Sequence, residues 1–150
     1  MGKHARILVV DDDENIRNTV KAILEDEGYL VDLATTGKEA IQRTEETTYT
    51  VALLDIRLPD MEGIELLKLM KDAVPRTRKI IVTGYPSMQN AVTALNNSAD
   101  AYLVKPVDIE KLLKTVEEQI IAQENEKAFS EQKVAEFIES RFKEKSVNTA

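Results

Sequence analysis

Two kinds of apolar pattern alternate along the first 120 residues. Five short, mostly aliphatic runs predict strands, at residues 5–10, 30–34, 50–54, 79–82 and 100–104. Apolar residues between and after them recur every three or four positions, which predicts five amphipathic helices. Strict alternation with short connections favours parallel βαβ units with helices on both faces of one sheet. Because the third run is continuously apolar, we expect that strand to be buried on both faces.

Local signals mark the boundaries of the first two helices and the character of the second strand. Gly28 is typical of a residue that ends a helix, and Thr36 with Glu39 matches a capping box at the start of the second helix. That helix is expected to run to about Glu46. Asp32 interrupts the second apolar run, which indicates a partly solvated strand at a sheet edge.

The later helices carry similar signals. Pro75 is expected to close the third helix, Pro86 can begin the fourth, and Asp108 is a candidate cap for the last one. The fourth helix is predicted to bury one apolar face, formed by Met88, Ala91, Val92 and Leu95.

Polar residues follow the strands predicted to lie centrally: Asp11, Asp12 and Asp13, then Asp55, Thr83 and Lys105. The carboxyl ends of parallel strands meet at one edge of a sheet, so these side chains should lie together. Carboxylates gathered there would repel one another without a cation, and hard oxygen ligands suit Mg²⁺. Lysine and threonine suit phosphate oxygens, and an aspartate can itself be a nucleophile. The strand ends together predict a magnesium-assisted phosphoryl-transfer site with Asp55 as acceptor, although each residue alone could be a turn or surface residue.

Composition removes several other classes of function. The chain has 150 residues, 43% of them hydrophobic, enough for one domain and an appendage. It has no Cys and one His, His4, which excludes disulfides, thiolate metal sites and histidine clusters. A net charge of -7 argues against direct nucleic-acid binding, and the densest basic patch, Arg76, Arg78 and Lys79, is interpreted as a solvated loop. No membrane span or secretory segment is evident, so we expect a cytoplasmic protein with no membrane partner.

Four segments, at 7–13, 54–63, 82–84 and 103–106, read ILVVDDD, LDIRLPDMEG, VTG and LVKP. Together they resemble the signature segments of two-component response regulator receiver domains of the chemotaxis-regulator type. The resemblance covers residues 4 to 121. It implies a flavodoxin-like, doubly wound (βα)5 fold with a five-stranded parallel sheet in the order 2-1-3-4-5, followed by a helical C-terminal extension.

The resemblance also implies roles for individual residues. Asp55 would accept a phosphoryl group from a phosphohistidine on a sensor histidine kinase or phosphotransfer protein. Asp12, Asp55 and the backbone carbonyl of Arg57 would hold Mg²⁺, with Asp11 assisting. Lys105 would pair with the phosphoryl group.

Further residues would report or tune the phosphorylated state. Thr83 would hydrogen-bond the phosphoryl group, and Tyr102 would be the switch aromatic whose ring turns inward as Thr83 moves. Arg57 and Tyr85, each two residues beyond a signature residue, would flank the phosphoryl group and affect its rate of hydrolysis. Such a protein is a phosphoacceptor regulator rather than an enzyme, although it assists its own phosphorylation and dephosphorylation.

Two alternatives remain at this level. A haloacid-dehalogenase-type phosphatase would use Asp11 as its nucleophile, but the Thr or Val expected further along is Asn15, and no cap insertion is visible. An unphosphorylated receiver-like interaction module should lack some of the acidic or lysine positions, and this chain keeps them all.

The output of the switch is less defined. Residues 84–99 contain no charged residue, although 31% of the chain is charged, which suggests a phosphorylation-sensitive surface for a partner or a second copy. We divide the chain into a receiver domain, 1–121, and a helical tail or linker, 122–150, which is either a continuation of the last helix or a second helix after a polar break. Its apolar stripe suggests self-association or packing on the domain. No effector pattern is present, so the chain is either a stand-alone regulator or the receiver end of a longer protein.

Overall fold

The computed structural model describes residues 5–70, 76–97 and 99–148, apart from the side chains of Leu95 and of residues 143–148. His4 and Pro75 therefore lie outside the described residues. Ten elements alternate strictly: β1 (Arg6–Val10), α1 (Glu14–Asp26), β2 (Leu30–Ala34), α2 (Gly37–Glu46), β3 (Val51–Asp55), α3 (Gly63–Leu69), β4 (Arg78–Thr83), α4 (Met88–Asn96), β5 (Ala101–Val104) and α5 (Ile109–Asn148). No described helix is both long and apolar enough to cross a membrane.

The five strands form one parallel sheet in the order β2-β1-β3-β4-β5, as predicted. Strand order reverses beside β1, so β2 lies on one side of it and β3 on the other. In such sheets the crevice at the carboxyl ends of the strands is where ligands bind. Asp11 and Asp55 occupy that crevice because they end or follow the two strands that meet there.

The core has two layers because helices cover both faces of the sheet. Leu8, Val10 and Leu54 point to one face, whereas Val9 and Leu53 point to the other, and all five are at most 3% exposed. All five residues of β3 are buried, as its continuous apolar run predicted.

The boundary signals act largely as expected. Gly28, two residues after the end of α1, adopts a φ of 92°, a conformation that residues with a Cβ rarely take. The Thr36 hydroxyl accepts a hydrogen bond from the N–H of Glu39 at 3.1 Å, and the Glu39 carboxylate accepts one from the N–H of Thr35. That return bond reaches one residue before the one predicted. At the edge strand β2, half-buried Asp32 accepts a hydrogen bond from the Tyr49 hydroxyl at 2.7 Å.

The predicted buried face of α4 is wrong. Met88 is 81% exposed and Val92 is 48% exposed, whereas Ala94 is fully buried and Ala91 is half-buried. The helix therefore turns its alanine face to the sheet, because the small side chains allow this nine-residue helix to approach closely. Met88 and Val92 consequently point to solvent.

The predicted solvated basic loop is also wrong. Arg78 and Lys79 lie in β4, and Lys79 is only 2% exposed. The two terminal nitrogens of the Arg76 guanidinium donate to the Asp100 carboxylate, at 2.9 and 2.7 Å, and Arg78 lies 3.4 Å from the same carboxylate. Burial alone would raise the pKa of Asp100, but the hydrogen bonds from Arg76 and the Lys79 N–H hold it below its ordinary value.

Helix α5 passes through the polar segment at 122–127 without a break, which decides between the two predicted forms of the tail. It is 40 residues long, and residues 131–142 are all exposed. The division of the chain at residue 121 stays a prediction.

Candidate functional site

The carboxyl edge of the sheet brings together the acids and the lysine predicted to meet there. Lys105, directly after β5, places its ammonium 2.7 Å from Asp11 Oδ2 and 3.1 Å from Asp55 Oδ2. Asp11 follows β1, and Asp55 ends β3, so three strands supply this one ionic cluster. Thr83, at the end of β4, lies one residue beyond the register partner of Asp55.

The three consecutive acids have three different roles. Asp11 is buried, and its Oδ1 accepts a hydrogen bond from the Asp13 N–H at 2.9 Å. Asp12 is exposed. Asp13 is the N-cap of α1, accepting hydrogen bonds from the N–H groups of Asn15 and Ile16. The triplet thus contributes a buried acid, a solvent-facing acid and a helix cap.

The charges of the cluster shift the pKa values of its members. Burial, and then the nearby Asp11 carboxylate, raise the pKa of Asp55 above its ordinary value of 3.8, although Lys105 opposes this. Burial alone would lower the pKa of Lys105, but the hydrogen bond and charge of Asp11, followed by Asp55, raise it. Desolvation and mutual repulsion make this cluster attractive to a cation.

The same acids fit a divalent metal. One carboxylate oxygen from each of Asp11, Asp12 and Asp55 can be chosen so that all lie within 4.8 Å of one another. Such a set of hard oxygens, one of them exposed and open to additional water ligands, matches the preferences of Mg²⁺. Arg57, whose carbonyl was predicted to complete the site, lies in the adjoining loop and donates its N–H to Asp55 Oδ1 at 3.3 Å.

The loop between β3 and α3 holds Asp55 through contacts that the sequence reasoning missed. The Gly63 N–H donates to the Ile56 carbonyl at 2.7 Å, which brings the start of α3 against the acceptor strand. A Cβ on Gly63 would overlap the Asp55 carbonyl oxygen and lie 3.0 Å from Ile56 Cα. Asp60, at the loop's tip, accepts hydrogen bonds from the N–H groups of Gly37 and Lys38, at 2.8 and 2.9 Å.

A second missed contact supports the acidic loop. The Arg17 guanidinium, on α1, donates to the Asp11 carbonyl oxygen at 2.8 Å. Arg17 lies on the first turns of α1, three positions after Glu14. No sequence motif marks a basic residue at this position, so the contact could not be predicted.

The two residues predicted to flank the phosphoryl group contact each other. The Arg57 guanidinium lies 4.1 Å from the centre of the Tyr85 ring, a cation–π distance, and both side chains are exposed. They connect the loop after β3 with the loop after β4 across the rim of the site.

The two predicted switch residues occupy different environments. Thr83 is fully buried, and its hydroxyl oxygen accepts a hydrogen bond from the Tyr85 N–H at 2.9 Å. Tyr102 is half-buried and packs against the core layer, but its buried hydroxyl has no hydrogen-bond partner in the described part of the chain. Since an unpaired buried hydroxyl is unfavourable, this ring has a physical reason to adopt another position.

An apolar groove of about 470 Å³ opens onto the cluster. It lies between α1 and the segment that leads into α5, and its apolar walls include Ile16, Val20, Val107 and Leu112. Asp55 and Lys105 lie at its polar end. A macromolecule seated in this groove would reach the Asp55 carboxylate directly.

Comparisons with known proteins agree with this geometry. The family model described as "Response regulator receiver domain" matches residues 7–117. The transcriptional regulatory protein ZraR of Klebsiella oxytoca is 41% identical over 117 residues, which cover 78% of this chain and 26% of that protein. The regulatory protein VanRB of Enterococcus faecalis is 42% identical, over 75% of this chain and 50% of its own length. The chain thus spans only a quarter to a half of these curated relatives.

Solved structures show the same likeness. A receiver domain protein described as CheY-like, from Methanospirillum hungatei, is 47% identical with a TM-score of 0.77, and the match covers 82% of this chain and 98% of that one. The beryllofluoride-activated NtrC4 receiver domain dimer is 36% identical with a TM-score of 0.74, over 79% and 98% of the two chains. With most of its length matched by the family model and its site assembled at the expected strand ends, this chain belongs to the receiver domain family of two-component response regulators.

Proposed function

We propose that Asp55 is the phosphoacceptor of this receiver, and that a phosphohistidine on a sensor histidine kinase or phosphotransfer protein is the donor. The observation that carries the proposal is the placement of the Asp55 carboxylate 3.1 Å from the Lys105 ammonium and within 4.8 Å of Asp11 and Asp12. One Asp55 oxygen forms a bond to phosphorus while the bond between phosphorus and the donor imidazole breaks. The product is an acyl phosphate, and the imidazole leaves with the electron pair.

The surrounding residues supply electrostatic stabilisation. Lys105 lies close enough to pair with the transferred group, which offsets its negative charge. Asp11, Asp12, Asp55 and the Arg57 carbonyl would hold Mg²⁺, which when bound neutralises charge on the phosphoryl oxygens. The two Asp11 oxygens accept shorter hydrogen bonds, at 2.9 and 2.7 Å, than the two Asp55 oxygens, at 3.3 and 3.1 Å, so Asp11 is the less available nucleophile. This arrangement disfavours the phosphatase alternative.

The donor docks in the apolar groove beside the cluster. A phosphohistidine must come within bonding distance of Asp55, and the groove is a continuous surface that ends at that residue. Its apolar walls suit the side chains of a donor helix.

The readout runs through Thr83 to the surface formed by Tyr85, Met88, Val92 and Val104, which we call the α4–β5 surface. These four side chains are 44–81% exposed. Thr83 would donate its hydroxyl to the phosphoryl group, and the movement would draw Tyr102 inward. The α4–β5 surface would then bind a second copy or an output domain, as the dimeric state of the activated NtrC4 receiver suggests.

Mapping the modified residue tests the proposal. We expect incubation with acetyl phosphate and Mg²⁺ to add one phosphoryl group, and borohydride reduction followed by peptide mass spectrometry to place it on Asp55. A label on Asp11 would support a phosphatase-type nucleophile instead. Absence of any label, with acetyl phosphate or with a phosphorylated histidine kinase, would support the interaction-module alternative.

Replacing Lys105 with alanine should slow phosphorylation of Asp55 by about 100-fold, because the charge that offsets the transferred group is lost. The rate is measured by intact mass against time with acetyl phosphate. Lys111→Ala, at an exposed position on α5, is the matched control and should retain the wild-type rate. A Lys105→Ala rate within twofold of wild type would contradict the assigned role.

Charging the α4–β5 surface should weaken its activated contact. With beryllofluoride bound, we expect the double variant Met88→Lys and Val92→Lys to have an association constant at least tenfold lower than wild type. Burying two ammonium groups in an apolar interface is strongly unfavourable. Sedimentation velocity with and without beryllofluoride measures the change. The control, Asn18→Lys and Ala22→Lys on exposed positions of α1, has the same spacing and charge. Equal responses of both variants would count against the surface.

A further inference from the structure

The C-terminal part of α5 carries an apolar face that nothing in the described part of the chain covers. Val134 and Phe137 are each 59% exposed, Ile138 is 49% exposed and Phe142 is 66% exposed. By contrast, Val116 and Ile120, earlier on the same helix, are at most 3% exposed because they pack on the sheet. The first part of α5 therefore packs on the sheet, whereas its C-terminal part is exposed to solvent.

Both parts present the same face of the helix. Alternate steps of three and four residues from Ile120 lead through Gln123, which is buried, and then to positions 127, 130, 134 and 137. Such steps stay on one side of an α-helix. The exposed stripe therefore points in the direction in which Val116 and Ile120 point, toward the space below the sheet of its own domain.

Side-chain contacts fix the direction in which the tail leaves the domain. The Arg78 guanidinium, at the first residue of β4, donates to Gln119 at 2.9 Å and to Glu126 at 3.3 Å. The Gln123 amide donates to the Arg76 carbonyl at 3.3 Å. These contacts lie at the amino ends of the strands, at the opposite end of the sheet from Asp55. Beyond them, residues 127–148 extend about 33 Å at the helical rise of 1.5 Å per residue.

We propose that two copies of this chain pair through residues 127–148, with their helices antiparallel and centred near Ile138. The stripe faces the space below its own domain. In a parallel pair, the partner helix seated on the stripe would therefore run upward and collide with that domain. In an antiparallel pair, the partner's own domain lies at the far end of the tail, away from the first domain. Ile138 lies midway between Val134 and Phe142, so this register places the Val134 end of each exposed stripe against the Phe142 end of the other.

The charges of the tail agree with self-association and with this orientation. Residues 122–148 contain six acidic and five basic residues, a net charge of -1, so the other residues carry -6 of the total of -7. Two tails therefore repel each other little. Glu131 lies on the stripe, and in an in-register parallel pair it would face the same glutamate of the second copy. In the antiparallel pair the two Glu131 positions lie 14 residues of helix apart, about 21 Å along the axis.

The apolar area is sufficient for a dimer of moderate affinity. Three large aromatic or branched residues and one valine per copy lose water, and each large side chain buries on the order of 100 Å² or more. Together with the flanking atoms, the pair approaches the roughly 1,200 Å² at the low end of specific interfaces. We expect a dissociation constant of about 1–100 µM, independent of phosphorylation.

Distances between spin labels test the orientation. The chain has no cysteine, so Lys127→Cys provides a single labelling site. An antiparallel pair centred at Ile138 separates the two labels by 22 residues of helix, about 33 Å along the axis. A parallel pair would place them within about 15 Å, which would overturn the proposal. Sedimentation equilibrium up to 200 µM gives the mass, and a single-copy mass throughout would also overturn it.

A pair of matched double variants tests the face. Val134→Glu with Ile138→Glu should weaken dimerisation at least tenfold, whereas Gln132→Glu with Ser140→Glu, off the stripe on the same exposed helix, should change it by less than twofold. Circular dichroism confirms that both remain helical. If the stripe variant still dimerises as the control does, the interface lies elsewhere, for example on the α4–β5 surface, and the proposal fails. None of these readouts depends on Asp55.

Discussion

Asp55→Asn is expected to abolish magnesium-dependent phosphorylation and to raise the thermal stability of the protein at neutral pH. The amide has no carboxylate oxygen to attack phosphorus, so we expect the rate to fall at least 1,000-fold, below detection by mass. The variant should also melt about 3 °C higher, the shift that roughly 1 kcal/mol causes in a domain of this size. Removing Asp55 relieves its repulsion with Asp11, while Asp11 keeps its 2.7 Å pair with Lys105.

The stabilisation should depend on pH in a defined direction. The pKa of Asp55 in the folded protein lies above its ordinary value of 3.8, so ionisation of this group favours the unfolded state. Below pH 3.8 the acid is protonated in both states, and the two proteins should differ little. As pH rises from 3.8 through the folded pKa, the wild type loses stability that Asp55→Asn retains.

Calorimetry between pH 3.5 and 7.5, without Mg²⁺, measures this difference. Asp26→Asn, at an exposed position at the end of α1, is the matched control and should melt within about 1 °C of wild type at all pH values. A melting temperature for Asp55→Asn that fell below wild type at pH 7 would contradict the electrostatic account. Residual phosphorylation at the wild-type rate would contradict the acceptor assignment.

Gly63→Ala is expected to destabilise the fold by about 3 kcal/mol, near the upper range for overpacked positions. The added methyl group would overlap the Asp55 carbonyl oxygen and approach Ile56 Cα at 3.0 Å, so backbone rather than a flexible side chain must move. This would displace the acceptor strand from α3 and disturb the acid cluster. We therefore expect a drop of about 10 °C in melting temperature and at least tenfold slower phosphorylation.

Gly84→Ala is a control within the same rim. A Cβ there would lie 3.9 Å from the nearest atom, in the Lys105 side chain, which is an ordinary contact. Its melting temperature should stay within about 2 °C of wild type. If the two alanine variants were equally stable, the tight approach of Gly63 to Asp55 would not be a constraint on the fold.

The strand order came from the resemblance to receiver domains. The meeting of Asp11, Asp55 and Lys105 came from the apolar runs, because the carboxyl ends of parallel strands share one edge of the sheet. Asp13 shows the limit of the method. Three consecutive acids look alike in a sequence, and only the start of α1 determines that one of them caps the helix. Asp60 was missed for a similar reason, since its partners Gly37 and Lys38 lie more than 20 positions away.

The errors at α4 and at the start of β4 also have a common cause. An apolar helix face can be formed by large or by small residues, and the pattern of α4 allowed either face to be buried. The sheet selected Ala94 over Met88. Likewise, Arg76 and Arg78 read as solvated because their counter-charge, Asp100, comes more than 20 positions later. Whether a charge is paired depends on tertiary contacts that periodicity does not contain.

The hydrogen bonds that Asp60 accepts from α2 make the two sides of the Asp55 site unequally constrained. On the β3 side, the two hydrogen bonds to Asp60 and the hydrogen bond from the Gly63 N–H to the Ile56 carbonyl tie the backbone after Asp55 to α2 and α3. On the β4 side, the rim is joined by the Thr83–Tyr85 hydrogen bond and the exposed Arg57–Tyr85 contact. A phosphoryl group on Asp55, as proposed, would therefore meet a firmly tied backbone on the β3 side and a less constrained one on the β4 side. We expect the displacement to go toward β4 and α4, so that the loop after β3 would serve as the fixed support against which the rest of the site moves.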